Sequence, residues 1–164
     1  MNYYNTEELS KTPFSRICEI PDTPSGLYIE GDIVGIANLK LITIVGSRTC
    51  STYAKEVTRS LITKLAGYPV CIISGLALGI DRIAHETAIT SNIKTVAFPG
   101  SGLDPSVIYP ASHKGLSSEI ISSGGVLVSE YTPLEKAARW TFPKRNRLMA
   151  AVSDLVIIIE AREK

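Results

Sequence analysis

The run Leu41-Ile42-Thr43-Ile44-Val45, which passes directly into Gly46-Ser47-Arg48, restricts this chain more than any other stretch. β-branched and leucine side chains favour a strand there, and the glycine with its polar followers ends it in a turn. The same sentence recurs. Apolar residues 70–73 lead to Ser74-Gly75, residues 94–98 to Pro99-Gly100, and residues 126–129 to Glu130-Tyr131, with helix-like stretches between them. These runs are continuously apolar instead of alternating, which is what a strand needs when helices cover both faces of its sheet. The expected fold is therefore α/β: three layers, a mostly parallel sheet, and helices on both faces.

The coarse element reading follows from that grammar. Strands are expected over 41–45, 70–73, 94–98, 126–129 and 154–160, and helices over 53–65, 80–89, near 115–122, and in a loop-and-helix stretch over 133–152. Right-handed crossovers leave few arrangements. The commonest, 3-2-1-4-5 counted over these five strands, sets the first beside the fourth and puts the ligand crevice beyond their carboxyl ends. Residues 1–40 read differently. Asn5 or Thr6 can cap a short helix interrupted near Pro13; Pro21, Pro24 and Gly26 mark a turn, and residues 27–30 a short edge strand. The division expected is an extension over 1–40 that packs on the sheet and a main domain over 41–164.

Composition limits what the turns can mean. At 164 residues, 45% hydrophobic and 20% charged, the chain suits one domain with a real core. A formal net charge of +1 rules out a polybasic tail but leaves room for a local basic patch. The three cysteines, Cys18, Cys50 and Cys71, have no CxxC spacing, so neither a disulfide framework nor a metal site is expected, and a reducing cytoplasm fits. No leader is recognisable, and no apolar run approaches the roughly 18 to 20 residues a membrane helix needs.

All four strand-terminal turns should lie on one edge. Glycine lets the backbone approach a ligand, and N–H groups entering a helix suit a phosphate. Ser47 and Arg48 add a neutral donor and a fixed charge; alternatively, Ser47 merely caps the turn and Arg48 is solvated. The run Trp140-Thr141-Phe142-Pro143-Lys144-Arg145-Asn146-Arg147 places Lys144, Arg145 and Arg147 at a helix start, where each cation opposes the helix dipole at about 0.3 to 1 kcal/mol. A polyanion would engage these cations, with Phe142 or Trp140 free to stack on bases. The alternative is a solvated helix start whose cations pair with nearby carboxylates. Asp81 and His85, four apart on one helix, form a pair better suited to bracing the segment after Ser74-Gly75 than to catalysis, because no serine or cysteine nucleophile accompanies them. Neither the dinucleotide fingerprint nor GxxxxGK[ST] occurs, so no cofactor is expected.

Taken together, Ile44-Val45-Gly46-Ser47-Arg48, Ser74-Gly75-Leu76-Ala77-Leu78-Gly79-Ile80-Asp81 with Ala84-His85, Ser101-Gly102-Leu103-Asp104 with Tyr109-Pro110, Ser129-Glu130-Tyr131, Phe142-Pro143-Lys144-Arg145-Asn146-Arg147 and Glu160-Ala161 resemble the successive motifs of the DprA/Smf family. The resemblance implies an extended Rossmann-like domain that binds single-stranded DNA, protects incoming strands in natural transformation and helps load the RecA recombinase, with no catalytic reaction. Carried over residue by residue, it implies DNA contacts at Ser47, Arg48, Gly75, Phe142, Lys144, Arg145 and Asn146, supported by Gly46, Ser74, Gly79, Asp81, His85 and Arg147. It also implies a homodimer in longer members, whose domain continues past the Glu-Ala motif, so the C-terminal part is expected to be missing here. Ala54 stands where the family usually has glycine, and His113 where it usually has asparagine. A second class remains: nucleotide-processing enzymes of the LOG/lysine-decarboxylase-like group. They would want Pro-Gly-Gly-x-Gly-Thr-x-x-Glu, and Pro99-Gly100-Ser101-Gly102-Leu103-Asp104 lacks the threonine and the glutamate.

Overall fold

The computed structural model describes residues 1–161. Its centre is one seven-stranded sheet of strands β1 Asn2–Asn5, β2 Gly26–Gly31, β3 Lys40–Val45, β4 Val70–Ser74, β5 Lys94–Ala97, β6 Val126–Ser129 and β7 Leu155–Ile158, in the order β1-β2-β6-β5-β4-β3-β7. β3 to β7 are parallel, while β1 and β2 run antiparallel to their neighbours. The helices are α1 Thr6–Leu9, α2 Thr52–Lys64, α3 Ile80–Thr90, α4 Lys114–Ser122 and α5 Thr141–Val152.

The continuous apolar strands do serve two faces. On β3, Leu41 joins a core with Cys71, Ile73, Val96 and Phe98 under α5, whereas Ile42 and Ile44 join Ile72, Ala54, Ile62 and Ala84 under α2 and α3. Successive strand residues point to opposite faces, so each run fills both cores. α2 begins where Ser51 Oγ accepts the Ala54 N–H at 3.1 Å, and it buries Ala54, Thr58 and Ile62, one residue per turn. β7 is the exception: Leu155, Val156 and Ile158 are 51%, 45% and 65% exposed at the sheet edge.

The strand order corrects the sequence expectation. Counted over the five parallel strands it is 4-3-2-1-5, so the first strand, β3, neighbours the fifth, β7, and not the fourth. The winding through α2, α3 and α4 keeps stepping outward on one face; α5 then crosses back over the other face to deliver β7 beside β3. β6 has no room for β3, because β2 occupies its outer side.

The N-terminal residues also differ. Residues 27–30 are not an edge strand: β2 lies between β1 and β6, and the edge is formed by Asn2–Asn5, which the sequence did not suggest as a strand. Asn5 does cap α1, accepting the Glu8 N–H at 3.0 Å while its own N–H donates to Glu8 Oε2 at 2.9 Å. Beyond Pro13, a 3-10 segment over Ser15–Glu19 replaces further α-helix. Phe14 and Ile17 are fully buried, and the Phe14 ring meets Phe98 edge-on at 6.1 Å. Arg16 closes this layer onto the sheet by donating to Asp154 Oδ1 at 3.0 Å, and Asp154 Oδ2 accepts the Leu41 N–H at 2.8 Å.

Candidate nucleic-acid interface

The carboxyl ends of β3, β4 and β7 lie beneath α5, and a cavity of about 310 Å³ opens there. Arg48 comes from the turn after β3, Ala77 and Asp81 from the turn after β4, and Phe142, Arg145 and Asn146 from the start of α5. Positions 142, 145, 146 and 149 share one helical face, so the helix presents ring, guanidinium and amide together.

Arg48 is exposed, and its guanidinium carbon lies 4.8 Å from the centroid of the Phe142 ring. That distance is within cation–π range. Phe142 in turn meets Tyr109 at 5.6 Å between centroids, with the planes tilted by 52°. Tyr109 is 52% exposed, so a cation and two aromatic rings form one open shelf at the cavity mouth. In sequence Tyr109 stood only as part of a Tyr-Pro motif. Its loop carries no periodicity that would aim the ring, and only the fold brings it to Phe142.

Arg145 has a different place. It is 5% exposed, and its Nη1 donates to Gly75 O at 2.6 Å and to Phe98 O, the carbonyls that follow β4 and β5. Gly75 is required for this: a Cβ there would sit about 2.5 Å from the guanidinium. Its Nε donates to Asn146 Oδ1 at 3.1 Å. Burial lowers the guanidinium pKa to about 10, opposed by the Asp81 carboxylate, and Arg145 remains a cation at neutral pH. Arg145 therefore locks α5 onto the strand ends and puts a positive floor under the cavity.

Asp81 and His85 find separate partners. Asp81 Oδ2 accepts the N–H groups of Gly75 at 3.1 Å and Ala77 at 3.3 Å, fixing the turn after β4. Burial pushes the Asp81 pKa upward, against the pull of Arg145 and these N–H groups. His85 Nδ1 lies 2.8 Å from Thr95 Oγ1, which gives its own proton to Ile72 O at 2.9 Å, so His85 Nδ1 is the donor. Burial first, and then the nearby His113 and Arg145, depress the His85 pKa to about 3. Ser74 Oγ donates to Ile44 O at 2.7 Å, bonding the ends of β4 and β3.

Ser47 and the remaining cations turn toward the protein. Ser47 Oγ donates to Thr49 O at 2.9 Å and accepts the Thr49 N–H at 3.2 Å, the turn-capping alternative. Gly46 packs against Ile80, and Ser47 O accepts the Ile80 N–H at 3.2 Å. Lys144 and Arg147 do not join the cavity. Arg147 grips Glu130 with Nη1 at 3.1 Å and Nη2 at 2.8 Å and reaches Asp22 at 2.9 Å, while Lys144 Nζ stands 3.8 Å from Glu130. Of the three cations that the resemblance implies as DNA contacts, Arg48 and Arg145 therefore meet at the cavity, and Lys144 does not. Residues 144 and 147 are one turn apart on the flank of α5 that faces Glu130 after β6, away from β3.

Comparison with known proteins decides the family. The model of the DNA recombination-mediator protein A family matches residues 7–164. The chain belongs to that family. It is 36% identical over 140 residues to Protein Smf of Escherichia coli K12, a match covering 85% of this chain and 37% of the relative. Against DNA processing protein DprA of Streptococcus pneumoniae R6 it is 37% identical over 146 residues, covering 89% and 50%. The chain therefore spans half or less of these relatives' length.

Among solved structures, DNA processing protein A from S. pneumoniae superposes with a TM-score of 0.88 at 32% identity, over 99% of this chain and 55% of that one. DNA processing protein A from Helicobacter pylori, solved to explain its single-stranded DNA binding mode, superposes with a TM-score of 0.82 at 33% identity, over 100% and 72%. The Rossmann-like fold of the family is present. Among the described residues no helix is long and apolar enough to cross a membrane.

Proposed function

We propose that this chain is a single-stranded DNA-binding module that acts in DNA processing during natural transformation. The observation that carries the reading is the shelf at the carboxyl edge: Arg48 over Phe142 at 4.8 Å, Phe142 beside Tyr109 at 5.6 Å, and the buried cation Arg145 beneath. A phosphate takes the cation, and unpaired bases take the ring faces. Duplex DNA hides those faces in its own stack, so this shelf discriminates by strandedness more than by sequence. Membership of a recombination-mediator family, and likeness to a relative with a described single-strand binding mode, support the same reading.

In this role the chain protects incoming strands and helps load RecA recombinase in the cytoplasm. DNA contact falls to Arg48, Phe142, Arg145 and Asn146; Ser47 and Gly75 shape the turns that hold them, and Lys144, engaged by Glu130, stands outside the cavity on the flank of α5. Residues 1–40 brace the sheet, and residues 41–164 carry the binding surface.

Competition by fluorescence anisotropy tests the reading. A labelled oligothymidylate bound to the chain should be displaced by unlabelled single strand far better than by duplex of equal length. Equal displacement by the two would reject it.

A further inference from the structure

A second basic concavity lies next to the shelf, between the N-terminal halves of α2 and α3. Its volume is about 610 Å³, and Arg48, Lys55, Arg59 and Arg82 line it together with Gly79 and Glu86. Arg48 lines both this groove and the cavity under α5, and so stands on the divide between them. Gly79, at φ +77°, makes the junction close: a side chain there would strike the carbonyl oxygens of Ser47 and Arg48.

The charges of the groove are poorly matched from within. Arg82 is paired with Glu86 at 2.6 Å, but among the described residues neither Lys55 nor Arg59 stands in an ion pair. Lys55 and Arg59 are like charges at i and i+4 on α2, a spacing that destabilises a helix. Arg82 lies in the first turn of α3, where a cation opposes the dipole. An anion in the groove relieves all three costs together. No aromatic ring lines it, so it suits phosphates and not bases.

We propose that a single strand seated on the Arg48–Phe142 shelf continues across Arg48 into the α2–α3 groove, where Lys55, Arg59 and Arg82 hold the phosphates of its flanking nucleotides. This rests on the binding function proposed above. It makes the shelf a base-holding subsite and the groove a backbone-holding one on a continuous track.

Length dependence separates the two. Lys55 and Arg59 lie off the buried stripe of α2 and repel each other, so Lys55→Gln/Arg59→Gln should melt at or slightly above the wild-type temperature. Single strands of about 5 and about 15 nucleotides span the site sizes that a single-strand-binding OB-fold engages, and serve here as the short and the long probe. For the double variant, binding of the long strand should weaken and its slope of log K against log salt should fall by about 1.4, or about 0.7 per lost phosphate. Binding of the short strand should keep wild-type affinity and slope. Wild-type behaviour with the long strand, or an equal loss with both lengths, overturns the groove and leaves the shelf standing. A wild-type chain that binds neither strand overturns the shelf, and the groove with it.

Discussion

The guanidinium of Arg48 sits over the ring of Phe142 at 4.8 Å, although 94 positions separate them in sequence. Two elements produce the contact. The turn after β3 carries the cation, and α5, crossing back to place β7 beside β3, carries the ring. A charge held on an aromatic face is oriented before any ligand arrives, which lowers the entropy lost on binding.

Stacking and charge should separate in the thermodynamics. Phe142→Ala is expected to weaken single-stranded DNA binding by about 1 to 3 kcal/mol with the salt slope unchanged, because a ring stacks on bases without releasing counterions. Tyr109→Ala should do the same to a smaller extent, since its ring supports Phe142 from outside. Anisotropy titrations at several salt concentrations read both quantities.

Arg145 should matter first to folding. Arg145→Ala removes two hydrogen bonds to strand-end carbonyls and leaves the Asp81 carboxylate buried without its cation. Leaving such buried carbonyls without a donor costs about 1 to 3 kcal/mol each. Urea denaturation should show a lower midpoint of that size at unchanged m. Arg145→Lys should recover part of it, because a single ammonium reaches fewer acceptors.

Acid should destabilise the chain through His85. Its pKa is about 3 in the fold against 6.5 when exposed, so between these values the unfolded chain binds the extra proton. The His85 contribution is complete above pH 6.5 and is lost as pH falls toward 3, with a slope of about 1.4 kcal/mol per pH unit. Asp81 has the opposite sign, because its raised pKa favours the folded state at low pH and that contribution fades as pH rises through the folded value. Thermal melts of wild type and His85→Gln from pH 7 to 4 should converge as the pH drops. Parallel curves would contradict the buried neutral imidazole.

Much of this was legible in the sequence. Apolar runs that do not alternate, each closed by a glycine or polar turn, located β3 to β7 and the edge on which their turns gather. The order of the strands was not legible, because β7 can lie on either side of β3 or β6 until the outer side of β6 is known to be taken. That side is taken by β2, and neither β2 nor the short, polar β1 carries a signal of its place in a sheet. Phe142 and Arg48 could be named in advance. The division of the basic run could not: Lys144 and Arg147 versus Arg145 depends on the helical phase of α5 and on Glu130, a residue from another strand end.

The salt dependence of Arg48→Ala tests the central claim most directly. Arg48 is exposed and touches a ring that the substitution leaves in place, so the fold should survive and any change reports on the ligand. The account predicts weaker single-stranded DNA binding and a slope of log K against log salt reduced by about 0.7, one phosphate contact. Lys144→Ala, whose ammonium is engaged by Glu130, should change the slope less. An Arg48→Ala chain with wild-type affinity and wild-type slope would contradict the account.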